Sequence, residues 1–457
     1  MFGYKKKPIT AQGKTISLLF DEFRVHAEGS KNTLYAADSL NCDCRDGSLR
    51  TGLGAREYAL KSGVKPNFTL LSSAVDGIFV IDNIGTLAAA VSTEKLCVTT
   101  EDEKLWVFID ASGQFTGGAL LGSNVCAATA VDKTADKTQT IFVGDPRAFY
   151  VQDNGVEGIA LSNTVPAVCE FNNRLFVGSK VFKIVYSSPD KAFTFTPDST
   201  DEQGTLNLPL DRGDVVALLR YEDGIYVFCQ RGIFRLYAAG SARDFKLTAL
   251  EYAGGGIFGR SVGRCGRSIF FLAQDGLYRI YGDSVKRICQ HLPIRPRPTK
   301  QVCNHAAVGG DYVLRYIDTA SRKRTVVVDS EGKDGYFISN YEGLSEYHGK
   351  PFCRYNDTLG TLADIGGLPT GEKYYFHSQK LDFGTAEKVT LKSLRLEGLG
   401  GFICEIIADG KVYSKKLGFS NGTAEWKKQI RAKEFYLRFT LSNGTVIRSV
   451  AVEAVAL

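Results

Sequence analysis

The residues of this chain that could do chemistry are few and scattered. Five histidines (His26, His291, His305, His348 and His377) are too widely spaced to make an H-E-x-x-H pair or another compact metal-ligand set. Eleven cysteines occur singly, except Cys42 and Cys44 in NCDCRDG. Two residues apart, these share one face of a strand, and with no second ligand pair they read as buried thiols, not as a metal or redox centre. Asp76, Asp223 and Asp275 each precede a glycine and could be offered as the paired carboxylates of a propeller glycosidase, but Asp-Gly is a turn dipeptide and turn chemistry accounts for each. AGGGIFG from Ala253 lacks the Lys-Ser or Lys-Thr and the helix that a phosphate cradle needs, so it reads as a loop. The RGD at Arg212 to Asp214 is short enough to be a chance match. Of four N-x-[ST] matches (Asn67, Asn356, Asn421, Asn443), two have turn explanations. With no Walker loop and no G-x-S-x-G elbow, the expectation is no catalytic centre, no cofactor and no metal.

The elements that carry these residues announce themselves by repetition. A turn pair, an aliphatic residue, an aromatic residue and further strand formers recur as DGIFVID from Asp76, DGIYVFC from Asp223, RGIFRLY from Arg231 and DGLYRIY from Asp275. Looser copies are KLWVFID from Lys104, NRLFVG from Asn173 and RSIFFLAQDG from Arg267. No stretch of twelve or more residues has a 3.6-residue apolar period, so the chain is all-β. IYVFC from Ile225 and IFFLA from Ile269 are apolar on both phases, which requires both faces of the strand to be buried, as in propeller blades sandwiched between neighbours. Six four-strand groups start near Asp76, Val125, Pro166, Asp214, Ser261 and Asn304, and a seventh would be closed by strands from the two ends of the region. The spacing thus predicts a β-propeller of six or seven blades over residues 14–375, after an N-terminal extension at 1–13, with a strand between Thr15 and Tyr58 closing the ring. HLPIRPRPTK from His291 holds three prolines and reads as an extended connector.

From Phe376 the texture changes to clean alternation of apolar and charged residues, the pattern of a sheet with one buried and one wet face. This predicts a small antiparallel β-sandwich over 376–457, with Leu394, Leu396, Ile406, Phe435, Leu437 and Phe439 inside and a capacity to fold alone. Asn421-Gly422 and Asn443-Gly444 read as type I′ hairpin turns. The segment carries roughly +5 of the whole chain's net charge of +6, densest at Lys415, Lys416, Lys427, Lys428, Arg431 and Lys433. That cluster is the candidate face for docking an acidic partner, or else a solvated strand face. The net charge is too mild to imply nucleic acid as the partner. There is no apolar run of about 18 residues to span a membrane. The start, with Lys5-Lys6-Lys7 and Pro8, is unlike a signal peptide, and the scattered cysteines fit a reducing compartment.

NCDCRDGSLRTGLGAREY, then KIVYSSPDKAFTF with DRGDVVALLRYEDGIYVFCQRGIFRLY, then YYFHSQKLDFGTAEKVTLKSLRLEGLGG together resemble the β-propeller structural proteins of tailed phages and prophages, the tail hub, nozzle or stabilisation proteins. The resemblance covers most of the chain in order and texture. It implies a non-enzymatic virion protein of the tail, assembled in the bacterial host cytoplasm as a homo-oligomeric ring, commonly a hexamer. Such a ring lies below the portal and adaptor, continues the exit channel with DNA only as cargo, and carries fibres or spikes. Two rivals belong to other classes: a glycan- or receptor-binding virion protein using Trp426, Tyr413 or Tyr436 on its C-terminal module, and a propeller hydrolase.

Overall fold

The computed structural model describes residues 14–21, 33–81, 85–86, 94–109, 111–122, 124–152, 155–159, 161–189, 191–195, 203–299, 301–364, 366–381, 383 and 387–456. The N-terminal extension at 1–13, with its three lysines, and His26 lie outside these. Among the described residues the helical elements are single 3₁₀ turns, and the rest of the regular structure is strand.

Seven antiparallel sheets of four or five strands follow one another along the chain. Their first strands are Val75–Ile81, Cys126–Asp132, Thr164–Phe171, Val215–Tyr221, Gly263–Cys265, Asn304–Val308 and Ser345–Tyr347. Each of the first six begins within a few residues of a start read from the repeats. The sheets pack in sequence around a closed circuit: first strand lies on first strand from the second sheet to the fourth and from the fifth to the seventh, the 3₁₀ turn Gly259–Ser261 joins the fourth to the fifth, and Ser345–Tyr347 of the seventh sheet lies against Val75–Ile81 of the first. First and second sheets meet through the rings of Phe79 and Phe142, whose centroids lie 5.2 Å apart edge to face. Middle strands of the fourth and fifth sheets are buried on both phases: every residue of Gly224–Cys229 and of Ser268–Ala273 is buried. Two-sided burial by neighbouring sheets is the condition the apolar runs required. The fold is therefore all-β and propeller-like.

The fourth strand of the seventh sheet comes from the other end of the chain. Gly54–Glu57 pairs antiparallel with Thr358–Ala363, from Gly360 opposite Glu57 to Ala363 opposite Gly54. The rest of the expected donor segment goes elsewhere, which corrects the 14–375 boundary. Lys14–Asp21 pairs with Val446–Ala456, Thr33–Leu40 with Tyr374–Ser378, and Leu49–Thr51 with the start of Val446–Ala456. These strands join the C-terminal ones in a sheet of eleven strands. The physical reason is an open edge: Val446–Ala456 pairs with Val389–Leu399 on one side, and without the N-terminal strands its other side would expose unpaired backbone. Phe20 from the N-terminus then lies edge to face on Phe376 at 5.3 Å and near Phe439 at 5.7 Å. Leu394, Leu396, Ile406, Phe435, Leu437 and Phe439 are all buried in this one core, together with Leu18, Phe20, Ala36, Cys42 and Cys44.

Turn chemistry is right at one of the two Asn-Gly sites. Asn421 and Gly422 both have positive φ, 49° and 76°, as a type I′ turn demands. At the other only Gly444 does, at 74°. That turn is of another type, and Asn443 instead accepts a hydrogen bond from the Tyr374 hydroxyl at 3.3 Å.

Residues 41–53 fasten the eleven-stranded sheet to the circuit. The Asn41 side chain donates to Ser339 Oγ at 2.9 Å and accepts from the Ser339 N–H at 2.6 Å, while Leu53 N–H donates to the Tyr336 hydroxyl at 3.0 Å. Arg45 bridges two carboxylates, Asp43 through Nε at 3.0 Å and Asp311 through Nη1 at 2.8 Å, with its guanidinium over the Tyr336 ring. Arg50 adds a bond to Asp43 Oδ2 at 2.7 Å. Burial pushes the Asp43 carboxyl up, but the hydrogen bonds and charges of Arg45 and then Arg50 outweigh it and hold the group below its usual range.

Two outcomes are expected. Residues 376–457 expressed alone will not unfold cooperatively, because the segment lacks the N-terminal strands that cover its edge and fill its core; a sharp thermal transition of the isolated fragment would contradict this. Asp43→Asn will cost on the order of 3 kcal/mol at neutral pH by leaving Arg45 and Arg50 short of a partner. Because the folded Asp43 pKa is depressed, its contribution is complete above the unfolded carboxylate value of about 4 and is lost as pH falls from there through the folded value. Urea midpoints of wild type and Asp43→Asn should accordingly differ most at pH 7 and draw together progressively as pH falls below about 4.

Candidate functional site

The six cationic residues singled out from the sequence lie on or beside two neighbouring strands, Lys411–Gly418 and Thr423–Ala432. Among the described residues each strand pairs on one side only, the first with Gly401–Ala408 and the second with Val389–Leu399, so both are edges of the eleven-stranded sheet. Lys415, Lys416, Lys427, Lys428, Arg431 and Lys433 are all exposed. Strict alternation would put Lys427 and Lys428 on opposite faces. Both are exposed because the pairing with Val389–Leu399 shifts register between Leu391 and Ser393, a bulge that turns the side chains out. Lys427 pairs with Glu425 at 3.3 Å, and Lys428 lies 4.9 Å over the ring of Tyr413, which Lys411 approaches from 5.4 Å. The other four make no ion pair among the described residues. Beside them, exposed Ile403 and Val412 add apolar surface, Val412 directly opposite Ile407.

The aromatic residues of the glycan-binding alternative are not assembled into a platform. Trp426 is 5% exposed and belongs to the core, Tyr413 is half-buried between two lysines, and Tyr436 is half-buried on another strand.

The remaining sequence candidates take structural positions. Asp214 of the RGD accepts from Phe182 N–H at 3.1 Å, tying the third and fourth sheets together. In AGGGIFG, a Cβ on Gly259 would meet Val216 O at 1.8 Å, so this glycine lets two chains touch; Gly255 N–H donates to Asp275 Oδ1 at 2.9 Å. Asn67 caps the 3₁₀ turn Phe68–Leu70. His291 contacts Asp334 at 3.2 Å, and half-buried His305 bonds Arg260 O at 2.9 Å through Nδ1. No group of three or more His, Cys, Asp or Glu side chains could hold a metal ion among the described residues. All eleven cysteines are free, and ten are buried. Burial pushes the thiols up, Cys126 to about 11 and Cys229, Cys265 and Cys289 to about 12.

Asp76 departs from expectation. Asp223 and Asp275 do sit in hairpin turns, but Asp76 lies inside the strand Val75–Ile81 and is 7% exposed. The pairing with Lys95–Thr100 skips from Val75 to Gly77, leaving Asp76 as the extra residue of a bulge that points its side chain inward. There it forms an ion pair with Arg260, which precedes the fifth sheet, so the pair reaches across the middle of the circuit. Asn304 of the sixth sheet donates to Asp76 O at 2.6 Å. Gly77 permits the approach, because a Cβ there would lie 2.8 Å from Thr99 Oγ1 and 3.2 Å from Arg260 Nη2. One signal in the sequence distinguishes this Asp-Gly from the others: a strand phrase precedes Asp223 and Asp275, whereas TLLSSAV precedes Asp76 and gives no strand to turn back from.

No family model and no curated protein matches the sequence. Among solved structures, the chain is similar to the computationally designed Ika8 protein over 65% of this chain and 98% of that one, at 11% identity and a TM-score of 0.40. It is also similar to BBS1N, solved in complex with ARL6DN, over 70% of this chain and 98% of that one, at 9% identity and a TM-score of 0.40. At these values the propeller-like character rests on the circuit of sheets itself.

With ten of the eleven cysteines buried, the native protein's thiols should react slowly with a thiol reagent at pH 8, and all eleven rapidly in 6 M guanidinium. Fast reaction of Cys42 or Cys44 in the native protein would reopen a redox role for NCDCRDG.

Proposed function

We propose that this chain is a structural subunit of a tailed-phage particle, a ring-forming component of the tail hub, nozzle or head-to-tail connector. In this reading the seven sheets are the blades of one closed propeller, the eleven-stranded sheet is a sandwich-like accessory, and identical subunits assemble into a ring that continues the DNA exit channel and carries fibres or spikes. The resemblance of the sequence to such proteins motivates the proposal. The observation that carries it is the pair of sheet edges, Lys411–Gly418 and Thr423–Ala432, where exposed cations adjoin exposed Ile403 and Val412. A combination of apolar contact area with charge suits docking to an acidic neighbour: the apolar part supplies affinity and the charges set orientation and encounter rate. The same lysines keep the open edges from pairing indiscriminately before a partner arrives.

The experiment is charge reversal at Lys427, Lys428 and Arg431. The triple Lys427→Glu, Lys428→Glu, Arg431→Glu protein should remain folded, losing about 1 kcal/mol from the Tyr413 stacking contact, while its incorporation into rings or particles slows. The effect should be larger at low salt, where screening is weak. Electron microscopy and incorporation rates read this out. Unchanged incorporation at every salt concentration, or a wild-type protein that stays monomeric with every particle component present, would overturn the proposal.

A further inference from the structure

A cavity of about 410 Å³ opens beside the Asp76 bulge. Its buried part is lined by Asp76, Thr99, Arg315 and Tyr316, and its mouth by Glu101, Glu103 and Lys323, with Glu101 and Lys323 paired at 2.8 Å. The volume lies within the ordinary range for small-molecule sites.

Two side chains in this lining each carry a polar atom without a hydrogen-bond partner among the described residues. Arg315 is 2% exposed, yet makes no ion pair among the described residues; Nε donates to Asn340 Oδ1 at 2.9 Å and Nη1 has no hydrogen-bond partner. Burial accordingly pushes the guanidinium below its usual pKa. Asp76 gives one carboxylate oxygen to Arg260, while Oδ1 has no partner. An unpaired buried cation is costly, and a fold rarely keeps one without a use for it. Arg45, half-buried at the junction with the eleven-stranded sheet, is by contrast satisfied by two carboxylates.

We propose that this cavity binds a small zwitterion of the amino-acid class, with its carboxylate on Arg315 and its ammonium on Asp76 Oδ1. A guanidinium matches a carboxylate in shape and charge. A plain anion would satisfy Arg315 but face Asp76, Glu101 and Glu103. Counted with Arg260, the cavity carries three cations and three anions, so a neutral molecule with separated charges fits where a net charge does not. Thr99 and Thr100 offer hydroxyls, and Val125 and Val302 offer apolar wall for a side chain. The site lies at the middle of the circuit, apart from the lysine-bearing edges, so its test is independent of the assembly role.

The full-length protein is titrated by calorimetry and thermal shift with the twenty free amino acids, and with matched carboxylates lacking the amine and amines lacking the carboxylate. At least one amino acid should bind with a millimolar or tighter Kd and raise Tm, and its two half-molecules should bind at least tenfold more weakly. Arg315→Met should abolish binding without lowering the Tm of the unliganded protein, since it removes an unpaired buried charge. Should that variant fail to fold, Val302→Trp, which fills the cavity and leaves Arg315 in place, should abolish binding instead. Absence of binding by all twenty amino acids at 10 mM overturns the proposal. So does equal binding of the carboxylate alone, and so does an Arg315→Met protein that folds with a lowered Tm and unchanged binding, which would make Arg315 a structural group.

Discussion

A circuit of sheets has no natural end, and closing it governs everything else in this molecule. The last sheet built in order by the chain has three strands, and its exposed edge at Thr358–Ala363 would present a row of unpaired backbone groups. Gly54–Glu57 covers that edge. The closing strand arrives only because the residues just before it, Leu49–Thr51, are held in the eleven-stranded sheet. A short stretch therefore fastens two bodies at once, and neither the circuit nor the accessory sheet is complete without the N-terminus.

Buried charge is used differently at the two places where it concentrates. At the junction, Arg45 lies between Asp43 and Asp311 with nearly all of its donors engaged, so its burial cost is offset by hydrogen bonds and the arrangement holds the lobe in one orientation. At the middle of the circuit, Arg260 and Asp76 are paired, but Arg315 beside them makes no ion pair among the described residues. Architecture explains the first group and half of the second. The remainder is a guanidinium nitrogen and a carboxylate oxygen without hydrogen-bond partners among the described residues.

The outer surface carries a different logic. The sheet edges rich in lysine are protected from indiscriminate strand pairing by charge, and the bulge near Ser393 brings neighbouring lysines to the same wet side. Exposed charge contributes little to the stability of the chain itself, so the fold does not depend on this cluster.

The sequence by itself determined the strand content, the repeat, the doubly buried middle strands and the six apolar residues of the C-terminal core. These follow from local rules: alternation, aromatic and β-branched runs, and Asp-Gly or Asn-Gly turns. It also placed the basic cluster, because charge is a property of residues and not of their neighbours. Tertiary structure alone decided which edge each N-terminal strand would cover, since Lys14–Asp21 and Gly54–Glu57 look equally able to pair and only the geometry of the open edges separates them. It likewise decided the fate of Asp76 and Arg315. A bulge is one residue of slippage between two strands, invisible in either strand alone, and a missing partner is a fact about residues hundreds of positions apart that meet only when the circuit closes.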